Sequence, residues 1–224
     1  MRLPPASASH RQAVRFGRYV ARRLRQEKLS QLADDATAAT NLVRDAGRAW
    51  EDADDAIQDA LADRDGADDH LDSAAQLARV SLAGRSADAV KKAPYTLVFH
   101  AGIGYYTAAP LDREVQRYGE LDQRLAEHLP AGDEVRLHAS KAIAAGLADF
   151  SAATTALQAA RTAEALAATK LAAATDAWSN LIEKTYGALC AERGRAEADR
   201  FFPKVRGKAS AGPADDAAPA PQPS

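Results

Sequence analysis

The sequence predicts an all-α protein: an elongated antiparallel helical bundle of long coiled-coil helices, with one aromatic crossover loop and a disordered C-terminal tail. Three observations carry this. Two stretches repeat apolar residues at alternating spacings of three and four, about a quarter of the chain is alanine while aromatics are only 6%, and a single short segment has strand-like composition. Small side chains fill narrow seams and bury little area each, so this composition favours close helix contact over a wide core.

Residues 1–28 carry eight Lys or Arg against the single acid Glu27. Arg11, Arg15, Arg18, Arg22 and Arg25 alternate by four and three, which on a helix makes one stripe, with Ala13, Phe16, Val20 and Leu24 broadly opposite. If this helix ran straight on, its stripe would merge with the apolar seam that starts at Leu29. A break, or a rotation of the buried face, is therefore expected between Arg25 and Ser30. The segment reads as a detachable basic arm suited to anionic lipid, nucleic-acid phosphates or an acidic protein surface. The competing reading pairs it with the acidic stretch Asp34 to Asp72, which holds thirteen acids against Arg44, Arg48 and Arg64.

Residues 29–93 are expected to form a helical hairpin. Leu29, Leu32, Ala36, Ala39, Val43, Ala46, Trp50, Ala53, Ile57 and Ala60 hold a 3.5-residue repeat for over four heptads, the pattern that winds one helix around another. Asp65-Gly66 offers a turn, and a second helix from about Ala67 to Leu82, resuming from Ser86 to Lys92, is expected to fold back beside the first. Residues 94–110, PYTLVFHAGIGYYTAAP, change character; their aromatic rings suit a crossover, with room for a short hairpin, that covers one end of the bundle.

Residues 111–203 are read as a second hairpin. Helix runs from about Asp112 to Leu129, stops at Pro130-Ala131-Gly132, and resumes for a proline-free run from Asp133 to about Arg200. Gly146, Phe150, Ala153, Leu157, Ala160, Glu164, Ala167, Leu171, Ala174, Trp178, Leu181, Thr185 and Ala188 form the second seam, with Glu164 its one charged member. Trp50, Leu157, Leu171 and Trp178 are the large side chains expected at the helix interface. Ala-Trp followed after nine residues by Ala-Leu occurs at Trp50 and again at Trp178, which suits either an internal duplication or two independent seams. Residues 204–224 cannot bury enough apolar surface to offset their ordering entropy and are expected to be disordered.

Candidate chemistry is sparse. Asp63, Asp65, Gly66, Asp69 and Asp72 match positions of a calcium-binding loop, but Leu61 stands at its first ligand position and Asp72 at the place of a bidentate Glu, so a solvated acidic turn accounts for them equally. No Glu is followed three residues later by His, as di-iron bundles require, and Glu134 with His138 is a lone pair. Gly102-Ile103-Gly104 lacks the third glycine of a dinucleotide fingerprint, and Gly84-Arg85-Ser86 lacks the second glycine of a nucleophile elbow. Cys190 suits a small buried position.

No enzyme, cofactor, metal or small-molecule substrate is therefore expected. The leading expectation is a non-catalytic scaffold or assembly protein that self-associates or binds another helical protein. The alternatives are a module whose basic arm engages nucleic acid or anionic membrane, and a metal-binding helical protein. The net charge of -2 implies no bulk attraction to polyanions. The opening MRLPPASASHRQAVRF lacks the apolar core of a secretory signal, and the single cysteine and the Arg- and Ala-rich composition suit a bacterial cytoplasm.

Overall fold

A computed structural model describes Pro4 and residues 9–203; the expected disordered tail, 204–224, lies outside the described residues. Every regular element among them is helical, as the seams require, and the expected all-α bundle is what forms. The chain divides into two units, residues 1–47 with 170–224 and residues 48–169. The principal helices are α1 (His10–Gln26), α2 (Ser30–Ala83), α3 (Tyr95–Val98), α4 (Gly104–Thr107), α5 (Glu114–His128), α6 (Glu134–Arg193) and α7 (Arg195–Ala198). No described helix is long and apolar enough to cross a membrane.

In the first unit, α1 lies against α2 and α6. The break between α1 and α2 falls inside the expected window, at Lys28, whose φ of 60° ends the helical path. His10 comes against Gly47 and Gly17 against Thr40, so α1 runs antiparallel to α2. A side chain at Gly17 would collide with the Thr40 hydroxyl and the Trp178 indole nitrogen, which is why glycine stands at this crossing. Phe16, Val20 and Leu24 fill the core with Val43, Trp178, Ile182 and Leu189. Phe16 meets Trp178 edge-on, with centroids 5.9 Å apart. Phe201 and Phe202 return to the same core after Gly194, whose φ of 81° ends α6 short of the expected Arg200.

In the second unit, Trp50 meets Glu164 and Leu71 meets Gly146, so partner numbers fall as residue numbers rise and α2 and α6 are antiparallel. The fifteen residues of α5 pack as a third helix, placing Tyr118, Leu121 and Leu125 in a core with Leu71, Leu82 and Ile143. Asp133 caps α6 by accepting from the Val135 backbone N–H at 3.0 Å, while Arg85 donates to both its oxygens at 2.6 and 2.7 Å.

Several expectations need correction. The turn at Asp65-Gly66 does not form: α2 continues for 54 residues through both, and no helical hairpin lies within 29–93. One interior glycine costs about 1 kcal/mol, which is too little to stop a helix whose apolar seam goes on without a change of phase. With Arg64 its one charged member, that seam runs on through Ala67, Leu71, Ala74, Ala78 and Leu82. The resumed helix of 86–92 is only a 3-10 turn at Ala89–Lys91. The crossover holds no hairpin; it folds into the helical turns α3 and α4, whose Val98, Phe99 and Tyr106 enter the core beside α5. Finally, beyond Trp178 the α6 seam keeps Thr185 buried as expected, but Ile182 and Leu189 take the buried places expected of Leu181 and Ala188. Spacings of four and four across Ala174, Trp178 and Ile182 replace the regular alternation, a local stutter in the repeat.

Candidate helix interface

The burial of α1 follows from its two faces. Ala13, Phe16, Gly17, Val20, Ala21 and Leu24 point into the first unit's core, so Arg11, Arg15, Arg18, Arg22 and Arg25 are left exposed on the other side. The expected stripe exists, but α1 is not a detachable arm, because its apolar half supplies much of that core. The pairing with the acidic stretch is seen where Arg25 donates to Asp34 at 2.8 Å. Arg15, Arg18 and Arg22 make no ion pair with any described residue.

The four interface side chains are placed in two groups. Trp178, 2% exposed, belongs to the first unit's core, and half-buried Leu171 packs against it. Leu157, 4% exposed, and half-buried Trp50 belong to the second unit. The Trp50 indole N–H donates to the Glu164 carboxylate at 2.6 Å, which explains the one acid in the α6 seam. The charge sits where a half-buried ring offers a donor and where water still reaches it.

Burial along the second unit's α2–α6 seam is uneven. Opposite α5, Leu71, Ala75 and Ile143 are fully buried. Helix α5 begins beside Asp68, so beyond that point α5 no longer covers the two long helices. There Ala60, Ala153 and Leu157 are still buried, but further along Trp50, Ala53, Ile57, Ala160, Glu164 and Ala167 remain half-exposed. Leu166 on the same stretch is 56% exposed, and from Ser151 to Thr169 only Arg161 and Glu164 carry charge. On the α2 side, exposed Asp52, Asp55, Asp59 and Asp63 form an acidic ridge at spacings of three, four and four. The half-open seam is therefore flanked by a helix face whose one exposed charge is Arg161 and by an acidic face.

The start of α5 holds a buried carboxyl cluster that the sequence did not reveal. Glu114 is 2% exposed and faces Asp68 and Asp72 of α2, with one of its oxygens lacking a hydrogen-bond partner. Burial first, then the charges of Asp68 and Asp72 and a hydrogen bond shared with Asp68, push its pKa up to about 7. The Tyr118 hydroxyl donates to Asp72 in a short hydrogen bond, and burial with that bond raises its pKa. Nearby, the Arg117 guanidinium stacks 3.4 Å over the Tyr105 ring, and the Tyr105 hydroxyl donates to Glu120 at 2.7 Å. That bond and Arg124 hold the Glu120 carboxyl below its ordinary value.

Among the described residues no group of His, Cys, Asp and Glu is arranged to hold a metal ion. The expected calcium-loop residues Asp63, Asp65, Gly66, Asp69 and Asp72 lie on the unbroken helix α2, which cannot wrap them around an ion. Glu134 and His138 line a shallow groove with Leu77, and Gly102 and Gly104 flank the entry to α4. Cys190 is half-buried beside Tyr186 against the first unit's core. No family model, curated protein or solved structure matches the chain.

Proposed function

We propose that the protein is a non-catalytic helical scaffold that works by helix-to-helix contact, with the half-open α2–α6 stretch of the second unit as its docking surface. The observation that carries this reading is the uncovered seam. Residues spaced for burial at Trp50, Ala53, Ile57, Ala160 and Ala167 are only half covered, next to exposed Leu166 on an almost uncharged face. A partner helix laid there completes the covering that α5 supplies further along, and small residues let it approach closely. Such a contact is apolar and resists salt. Sedimentation equilibrium in about 1 M salt is the test. The expected mass exceeds the monomer, and Leu166→Asp, at an exposed site that leaves the fold intact, returns it to the monomer. A chain that stays monomeric at high concentration in high salt and binds no helical partner through this face refutes the reading.

A further inference from the structure

The two charged ridges match each other. On α1, exposed Arg15, Arg18 and Arg22 are spaced by three and four; on α2, exposed Asp52, Asp55 and Asp59 are spaced by three and four, and Asp63 extends that ridge by one turn. Each three-residue set spans about 10 Å of helix, so the spacing of the three guanidinium groups matches that of the three carboxylates. None of these six groups makes an ion pair with a described residue, so neither ridge is paired among the described residues. Exposed Tyr19 lies beside the arginines and exposed Ala49 and Ala56 beside the aspartates, while exposed Arg11 and Arg25 prolong the basic stripe and exposed Asp54 adds to the acidic side, with Arg48 one turn before Asp52.

We propose that the Arg15–Arg18–Arg22 ridge docks on the Asp52–Asp55–Asp59 ridge of a second copy of the chain. The proposal rests on the scaffold reading and names its partner. A second copy fits better than a polyanion for a reason of charge. Thirteen acids between Asp34 and Asp72 repel nucleic acid or anionic lipid from the same chain, whereas another copy brings the matching acids. Because both ridges are exposed, the contact forms fast, is screened by salt and is separable from the apolar seam.

The test is sedimentation and titration of the full chain between about 50 and 500 mM salt. In a Leu166→Asp background, which removes association through the apolar seam, the expected result is self-association that weakens at least about tenfold over that range and is lost when Arg15→Glu, Arg18→Glu and Arg22→Glu are added. The decisive arm mixes that variant with a second one, in the same background, carrying Asp52→Lys, Asp55→Lys and Asp59→Lys. Each alone is expected to be unable to make this contact, and the mixture restores it with the charges exchanged. Circular dichroism confirms that both variants are helical. Three results overturn the proposal: an unchanged mass in the arginine variant, no rescue in the mixture, or a chain monomeric in low salt whose arginine ridge instead binds a DNA duplex. Association in high salt that Leu166→Asp removes belongs to the apolar seam, so the scaffold reading survives the failure of this one.

Discussion

Glu114 gives the fold a pH dependence whose sign and size follow from its surroundings. Its pKa is about 7 in the folded chain and 4.5 without the fold, a span of about 2.5 pH units that corresponds to at most about 3 kcal/mol. Between those values the folded state binds a proton that the unfolded state has released. Stability is therefore full below about pH 4.5, falls as pH rises, and reaches its reduced value above about pH 7. Asp68, raised by burial and by Asp72, acts in the same direction. Glu114→Gln keeps the shape and supplies a donor toward Asp68 at every pH, so it mimics the protonated acid. Thermal melts of both proteins between about pH 4.5 and about pH 8 are expected to coincide in acid and separate by on the order of 5–10 °C at the alkaline end, with the variant the more stable. Hydrogen exchange localises the difference to α5. Parallel stability curves across the whole range refute a protonated Glu114 at the α2–α5 contact.

Three further substitutions test the packing. Gly17→Ala drives a methyl into Thr40 and Trp178, and thermal melting is expected to show a loss of about 1–3 kcal/mol. Gly66→Ala meets nothing within 4 Å, so if α2 is continuous there, denaturant titration shows a gain of about 0.5–1 kcal/mol; a loss restores the expected turn. Asp133→Ala removes both the α6 cap and the partner of Arg85, and urea unfolding is expected to report a loss of about 1–2 kcal/mol.

The seams were legible because alanine-rich repeats without proline leave little besides a long helix. Local signals misled at Asp65-Gly66, where a turn-like dipeptide was outweighed by an apolar phase that continues to Leu82. They misled again at Tyr95–Thr107, where β-branched and aromatic composition was overridden by packing on α5. The basic stripe was visible as a pattern, yet whether its opposite face lay in a core depended on Trp178 and Ile182, far along the chain. The Glu114 cluster had no sequence signal at all, because Asp72 and Tyr118 stand 46 residues apart and only the fold joins them. Phe201 and Phe202 were missed for the same reason: they follow the last seam residue, and Phe202 packs on Phe16 and Tyr186 while Phe201 joins the same core.

Glu164 tests the link between the open seam and assembly. In a closed core, an acid at a seam position is costly, but here it is half-exposed and accepts from Trp50, so the fold tolerates it. Its effect is to interrupt an otherwise apolar surface of Ala160, Ala163, Leu166 and Ala167 at the place a partner helix would cover. Glu164→Leu adds about 1 kcal/mol of apolar burial at a half-covered site and gives up a solvent-accessible hydrogen bond of similar worth, so the melting temperature is expected to move by only a few degrees. Association is expected to respond more strongly, because covering the site with a partner no longer desolvates a carboxylate. Sedimentation velocity in high salt checks this: the variant is expected to associate more tightly than the parent while melting almost with it. Equal or weaker association means that partners do not meet the chain at this stretch, and the helix interface then lies elsewhere.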